Sequence, residues 1–220
     1  MTLVAYNQRM NNASSTTEPV LDAIRAAAVR GLEPIELPAP LLNGNQSLTV
    51  ALKLRRSTRE YTDRPLPLQV LSDLLWAAFG INRPSGDRTA PYWRHVMVLD
   101  IYVAMPDGVR LYDPLAHKLL PHLKGDIRKQ TGVQDFVSMA PIEVIYVAHG
   151  ERMTDVSPEE RRLYASVDAA FIGQNIYLFC ASESLGTVFR GSVDHAALAR
   201  ILMLPGEQFV TFAQTIGYPK

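Results

Sequence analysis

Apolar residues return at helical spacing in two stretches of this chain. Val70, Leu71, Leu74, Leu75 and Ala78 recur at short helical steps, which predicts a helix that Gly80 stops. Pro158 opens the longest predicted helix, reaching about Ser184. Leu163, Val167, Ala170, Phe171, Gln174, Leu178 and Ala181 form its stripe, and Gly186 is its expected C-terminal cap. Shorter helices are predicted over residues 19–30 and 48–56, within 124–138, and from Asp194 through Leu202. Strand signals fall at 95–103, where the pattern alternates, at 142–148, where Val, Ile and Tyr crowd together, and at 187–190 and 209–216. Residues 109–112 and 118–120 flank Asp113-Pro114, the mark of a hairpin. Pro34, Pro38, Pro40, Gly31 and Gly44 make 31–46 an extended arm, and residues 1–18 are polar. Helices and strands mix without a regular βαβ repeat, so the fold class is α+β. Residues 1–46 form an N-terminal helix and arm, and 47–220 form one domain.

Charge narrows the partners. The 22 basic and 22 acidic residues cancel, so no broad field draws the chain to nucleic acid or to an anionic membrane. No run of 18 apolar residues exists to span a bilayer. The first residues lack a basic start followed by an apolar stretch, so no signal peptide is read and a cytoplasmic place is expected. The lone Cys180 excludes an internal disulfide and reads as a buried small hydrophobe. Glycines never fall at G-x-G spacing, and neither a Walker loop nor a G-x-S-x-G elbow is present. His95, His117, His122, His149 and His195 are not at metal-ligand spacing, so no metal is expected. Chemistry supplied by a bound cofactor fits this pattern, with the protein contributing binding and orientation.

The densest candidate chemistry lies in Arg55-Arg56-Ser57-Thr58-Arg59. Three guanidinium groups and two hydroxyls fall within five residues. Arg offers a planar fork of donors that matches phosphate oxygens, and hydroxyls add short donors. In a neutral chain a phosphate must be held locally, and this cluster is the place for it. The plain alternative is a solvated basic face.

The segment from Arg55 to Tyr61 resembles the opening motif of the nitroreductase-like flavin family, which typically reads Arg-Arg-Ser-x-Arg-x-aromatic. Leu75-Trp76-Ala77-Ala78-Phe79-Gly80-Ile81-Asn82-Arg83-Pro84 and Asp87-Arg88-Thr89-Ala90-Pro91 are similar to a short branch of that family that also holds SagB-type oxidases. Ser184-Leu185-Gly186-Thr187-Val188-Phe189-Arg190-Gly191-Ser192 and Gln214-Thr215-Ile216-Gly217-Tyr218-Pro219 resemble its late glycine-rich turn and closing strand. The likeness covers about 47–220.

The resemblance implies a central mixed or antiparallel sheet flanked by helices, in a homodimer with FMN between subunits. It implies an FMN-dependent oxidoreductase in which NADH or NADPH reduces small nitro or quinone-like acceptors by ping-pong hydride transfer. A SagB-type oxidase or dehydrogenase is the alternative within the fold, and a non-catalytic flavin-binding protein is the alternative outside catalysis. By the same resemblance, Arg55 and Arg59 hold the FMN phosphate and ribityl chain, while Arg56 and Ser57 meet the ring edge and ribityl hydroxyls. Gly191 and Ser192 offer backbone N–H groups to the ring. Lys220 stands where many relatives continue to a late basic pair. Tyr92 and Trp93 replace smaller polar residues of relatives. They are expected to wall the substrate pocket, the other reading being core beneath the following strand. Gln174 and Asn175 lie on the helix that the family uses at its dimer seam; a core position is the other reading.

Overall fold

The computed structural model describes residues 22–220, and the expectations for 1–21 lie outside these described residues. Helix α1 runs over 22–28. It leads to β1 (Ile35–Glu36), α2 (Leu48–Leu54), α3 (Leu68–Phe79), β2 (Leu99–Met105), β3 (Gly108–Asp113) and β4 (Lys118–Lys124). Then follow β5 (Ile142–His149), α4 (Pro158–Ser182), β6 (Gly186–Arg190), α5 (His195–Ile201) and β7 (Gln208–Gly217). The strands form one antiparallel sheet in the order β1-β4-β3-β2-β5-β7-β6.

The sheet separates two apolar layers, because successive side chains on a strand point to opposite faces. Ile101 and Val103 of β2, with Val144 and Tyr146 of β5, face the layer built with α3 and α4. Tyr102, Ala104, Ile145 and Val147 face the other layer, which Leu198 and Leu202 close from the α5 side. Every residue of β5 is buried, which explains its near-continuous apolar sequence. The β3–β4 hairpin turns at Asp113, whose carboxylate Oδ1 accepts the N–H groups of Leu115 (2.9 Å) and Ala116 (3.1 Å).

Helix α4 starts on a capping box. Ser157 Oγ accepts from Glu160 N–H, the Glu160 carboxylate accepts from Ser157 N–H, and Pro158 occupies the first turn. The stripe that spacing selects on this helix is its outer one. Leu163, Val167 and Phe171 are exposed at 58%, 41% and 44%, while Ala165, Ala169, Ile172, Gly173, Ile176 and Cys180 are buried. The helix is apolar on both sides, and the small residues take the inner face because the sheet lies close there. A Cβ on Gly173 would come within 2.5 Å of the Phe189 ring. Gln214 ties the layers, receiving the Tyr146 hydroxyl proton (2.6 Å) and donating to Gly173 O (3.3 Å) and Thr187 Oγ1 (3.0 Å).

Two boundaries differ from the pattern. Gly186 does not cap α4: Glu183 does, Ser184 takes the left-handed turn (φ 58°), and Gly186 opens β6. The strand expected at 95–103 starts at Leu99, because Trp93–His95 form a tight 3₁₀ turn with Arg94 and His95 at φ 46° and 58°. The extended arm lies on its own domain. β1 pairs with β4, and Leu37 enters the α3/α4 core.

Candidate functional site

The Arg-rich segment runs beside β6 and the C-terminal end of the chain. Thr58 N–H donates to Thr187 O (2.9 Å), Thr62 N–H to Tyr218 O (2.9 Å), and Lys220 N–H to Glu60 O (3.2 Å). Ser57 and Thr187 form a parallel bridge, and Tyr61 and Pro219 an antiparallel one. This approach requires glycine at 186, where a Cβ would meet Thr58 Cγ2 at 2.8 Å. The pairing brings Arg55, Arg56, Ser57, Arg59 and Lys220 to one edge of the molecule.

Tyr177 of α4 organises the inner side of that edge. Its hydroxyl accepts the Phe189 N–H (3.0 Å) and shares a 2.8 Å hydrogen bond with Ser57 Oγ. The Arg55 guanidinium lies 5.1 Å from the Tyr177 ring centre, a cation–π distance. Arg56, Thr58, Tyr177, Cys180, Leu185 and Pro219 line a cavity of about 240 Å³. Arg56, Ser57, Arg59 and Lys220 are exposed and Arg55 is half-buried. Among the described residues none of these cations has a carboxylate at ion-pair distance. The edge therefore carries positive charge that no neighbouring carboxylate among the described residues neutralises, with Ser57 held by Tyr177.

Gly191 and Ser192 follow directly on β6, about 13 Å beyond Thr187 at the strand rise. Ser192 O accepts the Val133 N–H (3.3 Å) and Gly191 O the Val193 N–H (2.9 Å). A Cβ at Gly191 would find only the Phe212 ring, at an ordinary 3.5 Å. Packing within the chain does not demand glycine there, and the backbone is left open on that side.

Arg190, just before this turn, points the other way. It is buried and pairs with Glu143 Oε2 (2.6 Å), while its remaining N–H groups reach Thr215 Oγ1 (3.0 Å) and Thr131 O (3.0 Å). Burial pushes the Glu143 carboxyl up to about 7, although Arg190 pulls it down. This network clamps the 128–131 turn against β6 and holds the base of the Gly191-Ser192 turn.

Tyr92 and Trp93 lie at the N-terminal half of α4. Trp93 N–H donates to Asp168 Oδ2 (2.9 Å), and its ring lies 6.1 Å from that of Tyr164. Tyr92 packs edge-on against Phe79 at 5.8 Å and donates its hydroxyl proton to Asp87 Oδ1 (3.1 Å). Asp168 is nine residues before Tyr177, about 13 Å along the helix, so within one chain these aromatics do not join the Arg-lined cavity. Both are partly buried against the core. Asn175 Nδ2 donates to Ala78 O (3.4 Å), tying α4 to α3, and Gln174 is exposed.

Sequence reasoning missed Tyr177, Thr187 and Asp168. Their roles arise between segments far apart in sequence and carry no local motif. An acid at 168 amid the apolar positions of α4 was the one available signal. Its carboxyl is pushed up to about 6 by burial, against the Trp93 N–H that lowers it.

Known proteins are similar to this chain in sequence and fold. The sequence profile of the nitroreductase family matches residues 52–218. A candidate nitroreductase of Methanocaldococcus jannaschii is 33% identical over 160 residues, spanning 68% of this chain and 81% of that protein. The crystal structure of a candidate nitroreductase from Ralstonia eutropha JMP134 superposes with a TM-score of 0.81 at 42% identity, covering 85% of this chain and 90% of that one. The NADPH:FMN oxidoreductase of Vibrio harveyi, solved with NAD+, shares the fold at a TM-score of 0.58 and 20% identity, over 79% and 69% of the two chains.

Proposed function

This chain belongs to the nitroreductase family, a family of oxidoreductases that typically use flavin, and we propose on that premise that it is an FMN-dependent reductase of small acceptors. The observation that carries the proposal is the edge where Arg55, Arg56, Ser57, Arg59 and Lys220 gather without carboxylate partners among the described residues. Its donors fit FMN. A phosphate matches the guanidinium forks of Arg55 and Arg59, and the Ser57 hydroxyl, steadied by Tyr177, suits a ribityl hydroxyl. Arg56 provides positive charge for the ring edge, where it favours a reduced, anionic ring. The open backbone at Gly191 and Ser192 suits close contact with the ring.

When bound, FMN supplies the hydride chemistry that no side chain here offers. NADH or NADPH is the proposed donor, and small nitro or quinone-like compounds are the proposed acceptors. One site serving both in turn implies ping-pong kinetics. The unit of function is proposed to be a homodimer. The exposed apolar face of α4 (Leu163, Val167, Phe171), together with Leu48 and Leu52 of α2, offers a seam for a second copy. Across that seam Tyr92 and Trp93 are proposed to border the open face of the ring. The visible spectrum of the purified protein tests the reading. Flavin bands, bleached by NADH or NADPH and restored by a quinone, support it. A colourless protein that FMN does not reconstitute overturns it.

A further inference from the structure

Arg88 is 7% exposed and sits behind Phe79, with its guanidinium carbon 5.7 Å from that ring centre. Its Nε and NH1 are buried with no hydrogen-bond partner among the described residues. Several acceptors around it bond elsewhere. Tyr112 OH bonds His117 Nδ1 (3.1 Å), and Tyr92 OH serves Asp87 (3.1 Å). Asp113 Oδ1 holds two backbone N–H groups, and Asp100 Oδ2 lies 2.7 Å from His149 Nε2. A guanidinium does not shed its charge in a protein, so burial without an anion is costly. Burial here lowers its proton affinity, the nearby Asp113 carboxylate opposes that from beyond ion-pair distance, and among the described residues no carboxylate comes close enough for an ion pair.

The guanidinium borders a cavity of about 190 Å³, walled mostly by Phe79, Met97, Leu99, Ile101, Tyr112 and Leu115; Asp100 also lines it, its carboxylate paired with His149 (2.7 Å) and Arg152 (3.8 Å). That volume is below the roughly 300–1,000 Å³ of pockets that take drug-sized ligands. We propose that Arg88 anchors a second ligand site, which takes a small monocarboxylate with an apolar body. The fork of Arg88 matches a carboxylate, and the apolar walls match the rest of the molecule. They also disfavour phosphate, whose several charged oxygens need more donors than one guanidinium supplies. The site is separate from the Arg55–Arg59 edge: β2, which lines it, is three strands from β6, about 14 Å at the usual strand spacing. Within one chain the two sites are thus distinct, and the aliphatic probe below is chosen to keep them distinguishable.

The test is calorimetric titration of the full-length, cofactor-loaded protein with hexanoate, with hexanamide and phosphate as controls. An aliphatic acid is chosen because it offers no ring to stack on a flavin. The expected result is one hexanoate per chain, with both controls weaker by about tenfold or more, the loss of a charge-assisted hydrogen bond. Arg88→Met should abolish hexanoate binding and melt no lower than the parent without ligand, since it removes a buried charge lacking a partner. Should Arg88→Met fail to fold, Leu115→Trp places a reporter at the exposed mouth while Arg88 stays in place. Its fluorescence should then respond to hexanoate and not to hexanamide. Absence of hexanoate binding at millimolar concentration, binding unchanged in Arg88→Met, or an equal response to acid and amide would overturn the site.

Discussion

Among the described residues Arg55 and Arg59 hold no carboxylate, Arg59 is exposed and Arg55 half-buried, so replacing both by Ala should leave the fold standing while weakening FMN binding. Each lost charge-assisted hydrogen bond costs about 1.5–3 kcal/mol. Fluorescence titration of FMN into the double variant measures it, and unchanged affinity would reject the phosphate role. Asp168 makes a second test at this scale. Its folded carboxyl titrates near 6, above the unfolded value, so the folded state binds the extra proton between those values. Its burden on stability is therefore present above pH 6 and is relieved as pH falls. Asn keeps an oxygen for the Trp93 N–H and carries no charge. Asp168→Asn should thus gain melting temperature over the parent at pH 8, with the gain shrinking by pH 5; a pH-independent difference would show that burial of this charge is not limiting. The Arg cluster was readable from sequence because its members are consecutive. Tyr177 was not, because it meets Ser57 across 120 residues, and neither residue carries a local sign of the other.

Periodicity located α3, α4 and the β3–β4 hairpin to within a few residues, because helix and strand repeats are local properties. It did not tell the inner from the outer side of α4. That choice belongs to the sheet beneath, which admits Gly173 and alanines and leaves the larger Leu163, Val167 and Phe171 outside. The outer stripe is where assembly is expected. Val167→Glu with Phe171→Glu should convert a dimer to monomers in light scattering while retaining the far-ultraviolet circular dichroism of the parent. A dimer that persists in this variant would move the seam off α4. The early turn at Trp93–His95 was also beyond pattern reading, since its positive φ values serve a contact with Asp168 on another element.

At the scale of the whole molecule, Glu143, Thr215 and Arg190 link three adjacent strands, with Thr131 joining from outside the sheet. Arg190→Met leaves the Glu143 carboxylate without its cation, at a cost of about 3–5 kcal/mol. Because the folded Glu143 carboxyl is raised to about 7, its contribution to stability falls as pH rises through that value. Losing the cation steepens this fall, so the defect should be larger at pH 8 than at pH 6 in urea unfolding, and adding Glu143→Gln should restore part of it. A pH-independent defect would mean that Arg190 acts by packing alone. The two residues of β1 carry a different consequence. Paired with β4, they cover the outer margin of the sheet, and the same stretch supplies Leu37 to the core. Deleting residues 1–46 as though they were a dispensable tail would bare unpaired backbone donors and acceptors, a template for strand addition by neighbouring molecules. The shortened protein should form polydisperse aggregates that grow with concentration on sedimentation, whereas a monodisperse product with the parent's melting point would show that β4 guards its own edge.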